Sequence, residues 1–158
     1  IKVIIKILDN ENIKVISSIF FNPELTLKKS GNYTKLKPSI SDNSSIKKGI
    51  TYFNKLNSLD HIQAVIVKGN IILATEDRQG TKKMLSSLKK KSKGILIKFP
   101  KKRQDLRMDL PTIGLQTLKD CKKYGLKGIV LKSKKNIFLD KATCISFANK
   151  NKIFIKII

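Results

Sequence analysis

A chain of 158 residues with 41% hydrophobic content holds enough apolar side chain for one domain, or one domain plus part of another, and excludes a disordered polyelectrolyte. Its net charge of +23 ordinarily points to nucleic acid or an anionic membrane surface. Only Arg78, Arg103 and Arg107 of the 34 basic residues are arginines, however, and the chain has no Trp, three Tyr and seven Phe mostly inside apolar runs, so nucleic acid is not the expected partner.

In chain order, Ile1, Ile4, Ile5 and Leu8 recur at helical spacing with Lys2 and Lys6 opposite, which predicts the end of an amphipathic helix stopped by residues 9–12. Ile13 to Ile16 reads as a short buried strand, followed by an apolar patch at Ile19, Phe20 and Phe21. Residues 22–45 lack periodicity and read as a long connection. Ser41 or Asp42 is the expected cap of a helix with Ile46, Ile50, Phe53 and Leu56 on its apolar stripe. Strands at 63–67 and 71–75, joined by Lys68-Gly69-Asn70, predict a hairpin. A helix over 81–91, a strand over 94–99, and a helix beginning at Thr112 or Thr117 and closing at Tyr124 before Gly125 come next. Strands 128–131 and 136–139, joined by Lys132-Ser133-Lys134-Lys135, predict a second hairpin. Asp140 caps a helix over 141–149, and 153–157 is a last strand.

This order predicts an α/β fold: a mixed sheet with interleaved helices and β-hairpins over 58–158, preceded by a remnant of a second α/β domain and linker over 1–57. Cys121 and Cys144 are too few for a metal cage and fall in helix-like stretches, which predicts buried thiols. His61, the single histidine, reads as a surface residue rather than an acid-base catalyst.

The densest polar chemistry lies between Lys98 and Gly114. Read as extended, the segment projects Asp105, Arg107 and Asp109 to one side and Leu106, Met108 and Leu110 to the other. Two carboxylates so spaced suit a hard divalent ion that leaves positions to water or phosphate oxygens, and the arginine fork suits phosphate. The alternative is an exposed loop whose charges neutralise one another.

Gln104-Asp105-x-Arg107-x-Asp109-Leu110-Pro111-Thr112-Ile113-Gly114, with Lys98-x-Pro100-Lys101 before it, resembles the signature of the UDP-2,3-diacylglucosamine pyrophosphatases of the LpxI type. So do 63–67, 72–76, Gly80-Thr81, Met84-Leu85, Gly125-Leu126-x-Gly128-Ile129 and Leu139-Asp140, so the resemblance is close over about 60–158. The family usually has glutamate at Gln79, aspartate at Lys82 and proline at Lys102, and these departures weigh against a carboxylate site at the Gly80-Thr81 turn. The family also opens with a glycine-rich turn in a separate N-terminal domain, so this chain is expected to be the C-terminal portion of a longer protein.

The resemblance implies hydrolysis of the pyrophosphate of UDP-2,3-diacylglucosamine to UMP and 2,3-diacylglucosamine 1-phosphate in lipid A biosynthesis, with Mg2+ or Mn2+. On that reading Asp105 and Asp109 hold the metal and act on water. Lys98 and Arg107 supply positive charge, and Gln104 and Thr112 orienting hydrogen bonds, with Thr112 alternatively a helix cap. Glu76 reaches the metal or the ribose, or is only a solvated strand end; Gln63, Gly80 and Thr81 border it. Acyl chains need an apolar groove, for which Phe20, Phe21, Leu25, Leu106 and Met108 are candidates beside ordinary packing. The expected setting is the cytoplasm at the inner-membrane surface, held peripherally, with a homodimer left open. A hydrolase of a soluble nucleotide sugar and a basic RNA-binding module are the other readings.

Overall fold

Almost every residue of four short runs is buried, which marks inner strands of a sheet covered on both faces. In the computed structural model, which describes residues 2–56, 62–101 and 104–158, the chain begins with α1 (Lys2–Asn10), α2 (Ser18–Phe21) and a 3-10 turn at Pro23–Leu25. β1 (Gly31–Asn32) and α3 (Ile40–Leu56) follow, then the hairpin of β2 (Ala64–Lys68) and β3 (Ile71–Thr75), α4 (Gly80–Ser86) and β4 (Ile95–Lys98). β5 (Thr112–Ile113), α5 (Leu115–Lys123), β6 (Gly128–Leu131), β7 (Ile137–Phe138), α6 (Lys141–Lys150) and β8 (Phe154–Ile157) complete it. The main sheet is mixed, in the order β1-β8-β6-β4-β2-β3, with β4, β6 and β8 parallel and the outer strands antiparallel. β5 and β7 form a separate parallel pair.

Side-chain alternation sorts the core into two layers. Ala64, Ile66, Leu96, Ile129, Leu131 and Ile155 pack with Met84 and Leu85 of α4, Leu118 and Cys121 of α5, and Cys144 and Ala148 of α6. Val65, Val67, Ile95, Ile97, Val130 and Phe154 pack on the other face with Ile46 and Phe53 of α3. Gly49 lets α3 approach this closely, because a Cβ there would collide with Ile97 and Val67. Both cysteines are buried core groups as expected, and burial pushes the Cys121 thiol up.

The expected α/β class, the first hairpin, the Asp140 cap and Gly125 beyond the end of α5 are all present; Asp140 accepts from Thr143 N at 3.4 Å, and Gly125 takes φ +70°. Four expectations are corrected. Ile13 to Ile16 pairs with no strand, and Ile13 and Ile16 are exposed: a β-branched run becomes a strand only when it lies along a ladder, and this one lies along neither edge strand, β1 or β3. The second hairpin does not form. After β6 the Lys132–Lys135 turn leads the chain out of the main sheet, and β7 pairs with β5 instead. The helix expected over 81–91 ends at Ser86, where the Ser86 and Ser87 hydroxyls bond back to Lys83 O and Met84 O. Helix α3 is capped by Ser39: its Oγ accepts from Asp42 N at 3.1 Å, while the Asp42 carboxylate accepts from Ser39 N at 3.0 Å.

The expected boundary after residue 57 and His61 both lie outside the described residues. On its N-terminal side, α3 packs on β2 and β4, and β1 pairs with β8.

Candidate active site

β4 ends on Lys98, and the next residue turns its side chain to the opposite face of the sheet. Lys98 is 9% exposed, and its Nζ donates to Thr112 O at 3.2 Å. Burial lowers its pKa, against the opposing pull of the Glu76 charge. Glu76, 5% exposed, follows β3 at the same edge. Its Oε2 accepts from Gln63 N at 2.7 Å and its Oε1 from Thr81 Oγ1 at 2.5 Å. Gly80, at φ +83°, turns the chain into α4 and brings Thr81 within that reach. Gln63 therefore works through its backbone: its N–H holds Glu76 and its carbonyl accepts from Phe99 N at 2.9 Å. Thr112 lies in β5 and caps no helix; Gly114 precedes α5 without a side-chain cap.

The structure corrects the extended reading of the next segment. Asp105 O accepts from Asp109 N at 3.0 Å and from Met108 N at 3.3 Å, which is one helical turn. A spacing of four residues in such a turn still puts Asp105 and Asp109 on one side, whereas Arg107 starts on another. Arg107 folds back instead. Its Nε donates to Asp105 Oδ1 at 3.0 Å and its Nη2 to Oδ2 at 2.8 Å, and the Arg107 backbone N–H also meets Oδ1 at 3.0 Å. These bonds hold the Asp105 carboxyl down at about 2, and the charge of Asp9 in α1 adds to the attraction on Arg107. Leu110 is buried and Met108 exposed, so the two do not share the face that alternation assigned them. Gln104 anchors the turn: its Oε1 accepts from Lys101 N at 2.8 Å.

The predicted site residues thus gather into two groups at the end of β4. Gln63, Gly80, Thr81 and Thr112 bond or border the buried pair Glu76 and Lys98, and Gln104, Asp105, Arg107 and Asp109 share a half-buried turn from which Arg107 is exposed. Among the described residues no three Asp, Glu, Cys or His side chains gather closely enough to cage a metal ion. The donor set fits magnesium or manganese only as an edge of one or two carboxylates, with the remaining oxygens from water and substrate, and with Asp105 released by Arg107.

Two side chains of this region escaped the sequence reading. Asn136 is buried; its Nδ2 donates to Lys98 O at 3.1 Å and its Oδ1 accepts from Lys132 N at 3.0 Å, tying β4 to the loop after β6. An asparagine ahead of Ile137-Phe138 was its only signal. Ser17 Oγ donates to Leu106 O at 3.4 Å and joins the turn to the start of α2, a contact 89 residues apart that no local pattern encodes.

The carboxyl ends of parallel strands are where open α/β sheets bind ligands. A UDP-2,3-diacylglucosamine pyrophosphatase LpxI from Caulobacter vibrioides is 30% identical over 142 residues, covering 84% of this chain and 50% of that protein. The chain therefore spans about half the length of the curated relative it matches. The pattern of the LpxI C-terminal domain matches residues 29–156, from just before β1 to the last strand, so the chain belongs to the LpxI C-terminal domain family.

Proposed function

We propose that the protein containing this chain hydrolyses the pyrophosphate bond of UDP-2,3-diacylglucosamine, with water attacking the uridine-side phosphorus to release UMP and leave 2,3-diacylglucosamine 1-phosphate. The observation that carries this reading is the presentation of Asp105, Arg107 and Asp109 on a single turn at the carboxyl end of β4, within the span matched to the family. Asp109 and Asp105 would hold Mg2+ or Mn2+, which would supply positive charge to offset that of the diphosphate. Arg107 then offers its fork to a phosphate in place of Asp105. Lys98, buried and bonded to Thr112 O, contributes positive potential from below rather than a direct contact. Glu76 and Thr81, bonded to each other beside that lysine, border the same end of the sheet.

An acylated substrate is favoured over a soluble nucleotide sugar by the apolar surface joined to the turn. Phe20 and Phe21 of α2 are 74% and 67% exposed, and Met108 is 44% exposed. Among the described residues no helix is long and apolar enough to cross a membrane. The reading places the protein in the cytoplasm at the inner-membrane surface, where lysines attract anionic headgroups. The deciding measurement is UMP release from UDP-2,3-diacylglucosamine by the full-length protein, lost in EDTA and restored by magnesium. Full turnover in excess chelator removes the metal, and no UMP under any condition removes the reaction.

A further inference from the structure

Where Lys98 turns to one face of the sheet, Phe99 turns to the other and meets Phe53 edge to face, with ring centroids 5.5 Å apart. The two rings floor a depression of about 220 Å³ whose walls carry Lys101, Gln104, Lys132 and Lys135. Lys101 follows β4, while Lys132 and Lys135 follow β6, so the charge comes from the carboxyl ends of adjacent parallel strands. Among the described residues none of the three lysines has an acidic partner within 4.0 Å. Three like charges around one hollow repel unless an anion sits between them.

Gln104 supplies the second, independent sign. Its Oε1 accepts from Lys101 N, while its Nε2 is shielded from solvent and finds no hydrogen-bond acceptor among the described residues, an unmet donor beside the hollow. The lysine loop is also held in place without a ligand. Lys132 N bonds Asn136 Oδ1, Ser133 N bonds Ile158 O, Ser133 Oγ bonds Lys28 O and Lys134 N bonds Leu27 O. A rigid hollow with three free cations and an unpaired neutral donor matches a group rich in acceptor oxygens.

We propose that this pocket is a phosphoryl-binding subsite that takes a phosphate or diphosphate group, with Lys101, Lys132 and Lys135 as counter-charge and Gln104 Nε2 as neutral donor once its amide turns toward the hollow. Its assignment to the substrate's diphosphate rests on the pyrophosphatase reading above; its occupancy by an anion does not. The test is calorimetric titration of the full-length protein with inorganic pyrophosphate at fixed ionic strength. The Lys132→Ala/Lys135→Ala protein should bind at least about tenfold more weakly than wild type, and Gln104→Leu should also bind more weakly. A control with the same charge change, Lys68→Ala/Lys89→Ala, removes lysines that line a different hollow and should bind as wild type. Displacement of pyrophosphate by UMP assigns the uridine-side phosphate to the pocket, and displacement by a short-chain 2,3-diacylglucosamine 1-phosphate assigns the lipid-side one. Unchanged affinity in the Lys132/Lys135 variant overturns the subsite, and so does an equal loss in the control pair, since binding then follows diffuse charge. A wild type that binds pyrophosphate at this pocket but releases no UMP keeps the subsite and loses the pyrophosphatase reading.

Discussion

Glu76 and Asp105 are carboxylates beside a cation at the same edge of one sheet, yet their surroundings differ in every respect that matters. Glu76 is buried, with its two oxygens bonded by a backbone N–H at the start of β2 and a hydroxyl in α4, and its nearby cation, Lys98, is buried as well. Asp105 is half-buried on a surface turn and, among the described residues, is bonded by the arginine two residues on. A buried carboxylate with both oxygens bonded holds three segments together and is shielded from solvent, so it is held by the fold before any ligand arrives. A surface pair can exchange Arg107 for a metal or a phosphate, because a new ion or oxyanion can reach it from solvent and replace the charge that leaves. Stability should therefore depend on the first region and turnover on the second.

The largest effect that sharpens this contrast is on turnover. Asp105→Ala and Asp109→Ala should each lower kcat of the full-length protein by roughly a hundredfold or more, and the double variant should be little worse than the poorer single one, as for groups serving one step. Their thermal midpoints should stay near wild type, since truncating a surface turn removes little packing. Near-normal turnover in both single variants would break the assignment of the turn to catalysis.

Glu76→Ala should do the reverse. It strips the acceptor from Gln63 N and Thr81 Oγ1 and leaves Lys98 buried without its opposing charge, a loss of about 3 kcal/mol. Denaturant unfolding measures it directly. A stable Glu76→Ala protein with abolished turnover would move Glu76 into the chemistry.

The contrast also explains what the sequence could and could not convey. Local signals were legible where the physics is local: Gly69-Asn70 turns the first hairpin, Asp140 caps α6, and Gly125 takes the left-handed position that ends α5. The motif residues at the end of β4 were legible as a chemical set. Their conformation was not, because an Asp-x-Arg-x-Asp run satisfies an extended strand and a helical turn alike; the i to i+4 bond from Asp109 N decides between them. Partner choice was hidden too. Lys132–Lys135 is a sound turn, but only the burial of Asn136 and the pairing of β7 with β5 reveal that the chain leaves the sheet there. The bonding of Glu76 was unreadable for the same reason, since its partners come from 13 residues before it and five after it.

A smaller effect separates charge from geometry at Arg107. Lysine keeps the charge but cannot reproduce the two-pronged contact with Asp105 or with a phosphate. Arg107→Lys should lower kcat/KM about tenfold, equivalent to roughly 1.4 kcal/mol of transition-state stabilisation, with stability unchanged. Wild-type kinetics in that variant would make Arg107 a surface charge.

The smallest effect is read without any substrate. Hydrogen bonds from Arg107 hold the Asp105 carboxyl at about 2, below its ordinary 3.8. A depressed carboxylate favours the folded state above its unfolded value, and that contribution is lost as pH falls through the folded one. The pair should consequently be intact at pH 3, where an unpaired aspartate is mostly protonated, and should open only near pH 2. In Arg107→Met the Asp105 titration, followed by carboxyl-carbon NMR, should return toward 3.8, because both the side-chain donors and the charge are gone. The Arg107 backbone N–H remains and should keep it slightly low. Should Asp105 titrate near 3.8 in the wild type, Arg107 is not bound to it in solution, and the guanidinium is already free to meet a phosphate before substrate arrives.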